Sequence, residues 1–303
     1  MPTGPQQTRI PLNRPFELEL ALFGHGWVDL PPFQWIPETK RVEFALRAGR
    51  LAVGVALAQK GRNLEIRTLA RRPLARGELE EIRGRIARML RLGEDYSAFW
   101  NLCGKSSGRA WVARRGAGRL LRAPTLFEDL MKILFTTNCT WAATRLMCRR
   151  LVEALGTRTP LGNRTFPGYR VCARQDEAFF REVVRAGYRA ASALELACAF
   201  AECILDEQRL ENPALPTSEL RNRLGAIPGF GPYAVGQALR LLGRYDDLAL
   251  DSWVRAEMAR RKGRRKPPSD RSIEREYHGF GSWRGLVLWM DLTARWHGEE
   301  KTT

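Results

Sequence analysis

The sequence predicts an α+β protein in which a small antiparallel sheet near the N-terminus is followed by a run of helices. Three short runs have the composition of β-strands, and they span residues 42–47, 51–58 and 64–70. Glycine-containing turns separate these runs, as is typical of an antiparallel meander. We therefore place an antiparallel-sheet domain at residues 1–115 and a helical domain at residues 116–303.

The helical half is predicted from apolar residues that recur at three- and four-residue spacing. Thr125 is the predicted N-cap of the first of these helices, because a threonine at that position can accept a backbone hydrogen bond. The helices are expected over residues 126–135, 141–155, 176–186, 191–205, 217–224, 233–242 and 283–296, after an earlier one over 73–92. This succession indicates a helical bundle without further sheet.

Composition indicates a basic globular protein. The 303 residues include 50 Lys and Arg against 33 Asp and Glu, which gives a formal net charge of +17. Such a charge predicts a polyanionic partner, nucleic acid first, although a generally basic surface is the alternative. The hydrophobic fraction of 44% excludes wholesale disorder. No apolar run approaches the about 18 residues that a membrane span requires.

The six cysteines are dispersed along the chain and form no CxxC pair. This spacing argues against a structural zinc site and against an iron–sulfur cluster. Free thiols are typical of a reducing compartment, and the first residues contain no apolar signal segment. We therefore expect a protein of the bacterial cytoplasm or nucleoid.

A turn rich in glycine and proline has the strongest chemical signal. It reads Ile-Pro-Gly-Phe-Gly-Pro at residues 227–232 and lies between two apolar helical stretches. Pro228, Gly229 and Gly231 permit a tight hairpin, and the helix that follows can aim backbone N–H groups at an anion such as a DNA phosphate. A structural corner without a ligand is the alternative.

A carboxylate follows at a position where it needs a partner or a function. Asp251 comes directly after the apolar run Leu-Ala-Leu, and burying an unpaired carboxylate is costly. The residues after it fit a helix, so Asp251 can be the N-cap, a catalytic acid, or both.

The hairpin and Asp251 together resemble the helix-hairpin-helix and Gly/Pro–Asp signature of the DNA glycosylase superfamily. Thr-Thr-Asn ending at Asn138 is similar to the Ser-Ser-Asn of eukaryotic 8-oxoguanine DNA glycosylases, and Gly-Tyr-Arg-Ala at 187–190 is similar to theirs. Phe-Gln-Trp at 33–35 is similar to their Phe-Arg-Trp. The likeness covers most of the chain and includes the 3-methyladenine branch. It implies a TBP-like antiparallel-sheet domain followed by an all-helical helix-hairpin-helix domain.

The resemblance implies Asp251 as the catalytic carboxylate. The base pocket is expected to contain Tyr233, Phe33, Trp35, Leu30, Arg284 and Trp289. Contacts with DNA are expected from Asn138, Arg189, Tyr188, Gly229, Gly231, Pro228 and Gln237; for Asn138, a helix N-cap is the alternative role. Relatives bind a monovalent cation, Na⁺ or K⁺, at backbone carbonyls that correspond to Gly225, Ile227 and Phe230. No cofactor is expected to be required.

These residues imply a monofunctional DNA glycosylase of base excision repair. Bifunctional members have a Lys where this sequence has Tyr233, so we expect hydrolysis by water and no abasic-site lyase activity. The enzyme would flip a damaged base, with alkylated bases favoured, from double-stranded DNA and act as a monomer without membrane contact. The alternatives are action on mismatched thymine or uracil, action on hypermodified phage bases, and a non-catalytic module that binds DNA damage.

Overall fold

The computed structural model describes residues 4–299, so the outer ends of both predicted domains, residues 1–3 and 300–303, lie outside the described residues. Contacts divide the chain into two compact units. Unit 1 consists of Met1–Glu94 and Arg119–Glu207, and unit 2 of Asp95–Gly118 and Gln208–Thr303. The domain boundary predicted between residues 115 and 116 stays a prediction.

Unit 1 contains one antiparallel sheet of five strands, in the order β1-β5-β4-β3-β2. The strands are β1 (Gln6–Pro11), β2 (Gln34–Ile36), β3 (Arg41–Ala48), β4 (Leu51–Lys60) and β5 (Asn63–Leu69). The three central strands match the predicted meander and confirm the small antiparallel sheet. The two edge strands were not predicted, because β1 is polar at alternate positions and β2 has only three residues.

The sheet buries one face through the two-residue alternation of its central strands. The apolar residues of this face are fully or almost fully buried: Val42, Phe44, Leu46, Val53, Val55, Leu57, Leu64 and Ile66. Each such side chain contributes about 1.5–3 kcal/mol relative to exposure, so this face accounts for much of the stability of the sheet.

Fourteen α-helices lie within the described residues, and they are numbered along the chain. Unit 1 contains α1 (Leu18–Leu22), α2 (Arg76–Met89), α5 (Leu126–Thr136), α6 (Trp141–Leu155), α7 (Tyr169–Cys172) and α8 (Ala190–Ala201). Unit 2 contains α3 (Ser97–Gly104), α4 (Ala110–Arg115), α10 (Thr217–Gly225), α11 (Pro232–Leu241), α12 (Ser252–Arg261), α13 (Asp270–Tyr277) and α14 (Arg284–Thr293), and α9 (Glu207–Leu210) begins at the unit boundary. None of these helices is both long and apolar enough to cross a membrane.

Most predicted helices are present, but the helix predicted over 176–186 is shorter than expected and mainly π-helical. The structure has a single π-helical turn there, Phe179–Val183. The Asp176 carboxylate accepts a hydrogen bond from the Phe179 amide at 2.8 Å and starts the turn. Arg185 then has a φ of 59°, in the left-handed region that a right-handed helix does not contain. Apolar periodicity alone did not reveal this break.

Two glycines fix the connection between α11 and α12. A Cβ on Gly285 would lie 1.9 Å from the carbonyl oxygen of Asp247, and the Gly285 amide donates to the carbonyl of Tyr245 at 2.7 Å. A Cβ on Gly236 would lie 2.8 Å from the Cβ of Ala249. Both positions therefore require glycine because a neighbouring backbone approaches too closely for a side chain.

Polar side chains hold the same connection. The Arg284 Nε donates to the Asp246 carbonyl at 2.6 Å, and the Thr217 hydroxyl donates to the Asp246 carboxylate at 3.1 Å. Arg221 forms an ion pair with Asp247. The path of the chain into α12 is thus fixed from α10, α11 and α14.

Gly285→Ala is expected to lower the free energy of unfolding by about 1–3 kcal/mol, because the new methyl group must displace the Asp247 backbone. Gly279→Ala in the same unit is the control, since a Cβ there meets no atom within 4 Å. It should change the free energy by less than about 0.5 kcal/mol. Denaturant unfolding measures both, and equal effects of the two substitutions would contradict the close approach.

Candidate active site and nucleic-acid interface

The predicted hairpin is formed between α10 and α11. Gly229 has a φ of 82°, so glycine is required at the turn. The Phe230 amide donates to the carbonyl of Ile227 at 3.0 Å, and both of these side chains are buried. Pro228 and Gly229 are exposed at the tip, and Pro232 is the first residue of α11, where its missing N–H costs nothing. The hairpin therefore exposes the backbone of its tip to solvent, while the buried side chains of Ile227 and Phe230 hold it in place.

Asp251 is the N-cap of α12, as one of the two sequence interpretations predicted. Its Oδ1 accepts a hydrogen bond from the Val254 amide at 2.7 Å. Its Oδ2 accepts one from the Gln237 Nε2 at 3.2 Å. The side chain is 8% exposed. The cap therefore fixes one oxygen of the carboxylate, and the other accepts from one neutral donor within the described residues.

Arg240 lies behind this carboxylate and was not recognised from the sequence. It is 2% exposed, and its Nη1 donates to the Gln237 Oε1 at 2.8 Å. Its guanidinium carbon lies 4.1 Å from the ring centroid of Trp289. Burial lowers the pKa of Arg240 to about 10, and the negative charge of Asp251 opposes that shift. The only sequence signal was a single arginine among the leucines of α11.

The other predicted pocket residues of unit 2 have different surroundings. Tyr233 is half-buried near the start of α11. Trp289 is buried, with Arg240 over its ring and the ring of Trp253 at 5.4 Å. Arg284 donates to the loop before α12. The structure thus brings Asp251 and Gln237 into contact. Trp289 packs against Arg240 and Trp253, and Arg284 binds the Asp246 carbonyl.

The predicted cation ligands lie around the hairpin. Among the described residues, the carbonyl oxygens of Gly225 and Phe230 accept no hydrogen bond, and that of Ile227 accepts one from the Phe230 amide. A carbonyl oxygen has two lone pairs, so all three are chemically able to bind a monovalent cation. Within residues 4–299, His, Cys, Asp and Glu side chains form no group of three or more that could hold a metal ion.

In unit 1, the predicted pocket segment at 30–35 is tied to the core. Leu30 is completely buried, and its carbonyl accepts from the Phe33 amide at 3.1 Å. The Lys132 Nζ lies 4.8 Å from the ring centroid of Phe33 and donates to the Glu128 carboxylate at 2.6 Å. Burial raises the pKa of Glu128, and the adjacent Lys132 opposes that rise. Trp35 is half-buried.

A second group of predicted residues forms one cluster at the end of α5. Asn138 is exposed and has a φ of 44°, a conformation that asparagine tolerates. Its Nδ2 donates to the Tyr188 hydroxyl at 3.2 Å, and Tyr188 is 63% exposed. The N-cap of α6 is Thr140, whose hydroxyl accepts from the Ala143 amide at 3.3 Å, so Asn138 does not have that role. We call Asn138 and Tyr188 the exposed pair.

Arg189 supports the exposed pair from inside. It is 6% exposed, and its Nε donates to the carbonyl of Thr137 at 3.0 Å. Its guanidinium carbon lies 4.4 Å from the ring centroid of Tyr188, and its Nη1 donates to the carbonyl of Ala186 at 3.3 Å. In this structure the guanidinium therefore holds the corner that carries Asn138, while Tyr188 and Asn138 face solvent.

Comparisons with known proteins identify the fold. No protein-family model matches the sequence, and no curated protein matches it. Three solved structures are similar over almost the full length. MBOgg1 in complex with a low-affinity DNA ligand has a TM-score of 0.74, 17% identity and 96% coverage of each chain. The 3-methyladenine DNA glycosylase of Archaeoglobus fulgidus has a TM-score of 0.74 and 18% identity, covering 95% of this chain and 98% of its own.

The third structure is the apo form of the 8-oxoguanine glycosylase/lyase of Clostridium acetobutylicum. It has a TM-score of 0.71 and 16% identity, with 96% of this chain and 97% of that chain covered. The resemblance stated from the sequence is therefore confirmed at the level of the fold: the chain has the α+β fold of solved DNA glycosylase structures.

Proposed function

We propose that this protein is a DNA glycosylase that flips a damaged base out of duplex DNA and hydrolyses its N-glycosidic bond. The single observation that carries the proposal is the Asp251 carboxylate, which is fixed at the N-terminus of α12. It comes directly after the connection between α11 and α12 that Gly236 and Gly285 hold, in a chain with the fold of solved DNA glycosylase structures. Breaking such a bond develops positive charge on the sugar. A preorganised carboxylate stabilises that charge without having to reorganise.

The arrangement of the two carboxylate oxygens supports this chemistry. Oδ1 is held by the Val254 amide, which prevents the side chain from rotating away. Oδ2 accepts only from the neutral amide of Gln237 among the described residues, so its charge is not neutralised by a direct ion pair. Such an oxygen can stabilise a cationic sugar or orient and deprotonate the attacking water.

Binding to double-stranded DNA is supported by charge and by exposed backbone. The net charge of +17 favours contacts with phosphates. The exposed hairpin tip and the N-terminus of α11 offer N–H groups to a phosphate. The exposed pair in unit 1 offers an amide and an aromatic ring to fill the space that a flipped base leaves. A monovalent cation at Gly225, Ile227 and Phe230 would add positive charge at the hairpin.

The proposed substrate is an alkylated base, and the proposed reaction is monofunctional. Tyr233 has no amine with which to form a Schiff base, so water is the nucleophile. Aromatic rings attract electron-poor alkylated bases, and Tyr233, half-buried in the first turn of α11, is the candidate ring in unit 2. Action on mismatched thymine or uracil, or on hypermodified phage bases, remains the alternative. The monomeric state and the cytoplasmic location stay predictions.

Asp251→Asn is expected to abolish base release while leaving duplex binding nearly unchanged. Asparagine is as good an N-cap as aspartate, so the variant should fold. Its free energy of unfolding should fall by about 1–3 kcal/mol, because the new amide nitrogen meets the Gln237 Nε2 donor. Mass spectrometry should detect the bases released from duplexes that carry alkylated, oxidised, deaminated, mismatched and hypermodified residues. Equal release by wild type and variant would refute the catalytic role, and binding without release by either protein would indicate a damage-binding module.

Borohydride reduction in the presence of abasic duplex is expected to trap no covalent adduct with the wild-type protein. Tyr233→Lys places an amine at the position where bifunctional relatives have their nucleophile, so this variant should gain a trapped adduct. Denaturing electrophoresis of labelled DNA detects the adduct, with Tyr233→Phe as the control that lacks an amine. An adduct with the wild-type protein would show that another lysine attacks the sugar.

A further inference from the structure

We propose that Arg240 is a positioning residue for the reaction: it fixes the side-chain amide of Gln237 so that this amide donates to Asp251. The inference rests on the proposed function and deepens it, because it concerns what holds the catalytic oxygen. Arg240 and Gln237 are three residues apart on α11 and therefore lie on one face of the helix.

The donors and acceptors of the three side chains permit only one arrangement. A guanidinium only donates, and an ionised carboxylate only accepts. The Gln237 amide lies between them, so its Oε1 must face Arg240 and its Nε2 must face Asp251. The two distances agree, at 2.8 Å for Arg240 Nη1 to Gln237 Oε1 and 3.2 Å for Gln237 Nε2 to Asp251 Oδ2. The hydrogen bonds thus lead from the Arg240 cation through the Gln237 amide to the Asp251 carboxylate.

Burying the Arg240 guanidinium costs desolvation free energy that a role in packing alone does not explain. Its side chain is almost fully buried. Among the described residues, its Nε has no hydrogen-bond partner and no carboxylate pairs with its guanidinium directly. A leucine or methionine would fill such a position without desolvating a charge. The ring of Trp289 and the distant Asp251 offset part of this cost. The remaining cost indicates that Arg240 has a functional role.

Without the guanidinium, only the carboxylate would orient the amide, and the buried Oε1 would have no donor among these three side chains. Rotation by half a turn would place Oε1 against Oδ2, where two acceptors repel each other. The carboxylate would then lose the Gln237 donor, and Oδ2 would occupy a wider range of positions. Arg240 also polarises the amide and strengthens its donation to Asp251, since linked hydrogen bonds reinforce one another. The effect on the reaction passes entirely through Gln237.

A double-mutant cycle tests this dependence. Arg240→Met and Gln237→Leu are each expected to lower the single-turnover rate of base release by about 10- to 100-fold, as misplacement of a catalytic group does. Binding of Arg240→Met to a duplex that carries a stable abasic-site analogue should stay within twofold. Arg240→Met in the Gln237→Leu background should cause no further loss. Arg275→Met is the control for the removal of one positive charge, because Arg275 is exposed on α13.

Multiplicative losses in the double variant would overturn the proposal, since Arg240 would then act independently of Gln237, for example through its contact with the carbonyl of Leu248. Loss of duplex binding in parallel with loss of rate would overturn it as well. Thermal unfolding of each variant shows whether a rate loss merely follows a loss of folded protein.

A measurement without substrate separates this inference from the proposed function. The side-chain amide resonance of Gln237 is assigned in ¹H–¹⁵N spectra by its absence from Gln237→Leu. In wild type, one Nε2 proton should exchange slowly with solvent, and Arg240→Met should speed this exchange and shift the resonance towards that of a free glutamine. An unchanged resonance would overturn the inference. A resonance that moves in a protein that releases no base would support the positioning and refute the glycosylase activity.

Discussion

The hydrogen bond between the Val254 amide and the Asp251 carboxylate is the interaction on which the rest of the account depends. It places a negative charge at the positive end of α12, where the helix stabilises it. It also divides the carboxylate into a fixed oxygen and a second oxygen with one neutral donor. The neighbouring helices fix this geometry. The backbone that leads to Asp251 packs directly against Gly236 and Gly285, where a larger residue would collide with it.

Unit 1 also contains a buried side chain that holds polar groups in a fixed position. The corner at Thr137 and Asn138 is held by a buried guanidinium, so that an asparagine and a tyrosine remain exposed side by side. In both units an arginine that is nearly excluded from water holds a smaller polar group in place. Arg189 fixes backbone in unit 1, and Arg240 fixes an amide in unit 2.

The sequence predicted those features that local physics determines. Thr125 is the N-cap of α5, since its hydroxyl accepts from the Glu128 amide at 3.3 Å, and Asp251 is the N-cap of α12. The hairpin glycines and the three central strands also follow from turn chemistry and alternation. Features that depend on distant contacts were not predictable. The pairing of β1 and the inward direction of Arg189 each depend on residues remote in sequence.

Arg240 shows why the site itself was only partly predictable. A single arginine in an apolar helix can snorkel to the surface or be buried, and sequence does not distinguish these outcomes. Only the fold shows that it lies behind Gln237 and under Trp289. Leu30 and Trp289 are both buried in the structure, and their place in a base pocket stays a prediction.

A crystal structure of the protein with duplex DNA containing a non-hydrolysable nucleotide at the flipped position tests the central claim most directly. The account predicts that the Asp251 Oδ2 lies within about 3.5 Å of the anomeric carbon or of a water aligned with it, the separation of a reacting pair. The Val254 and Gln237 hydrogen bonds should both be retained. A flipped nucleotide whose anomeric carbon is separated from this carboxylate by another side chain would contradict the account.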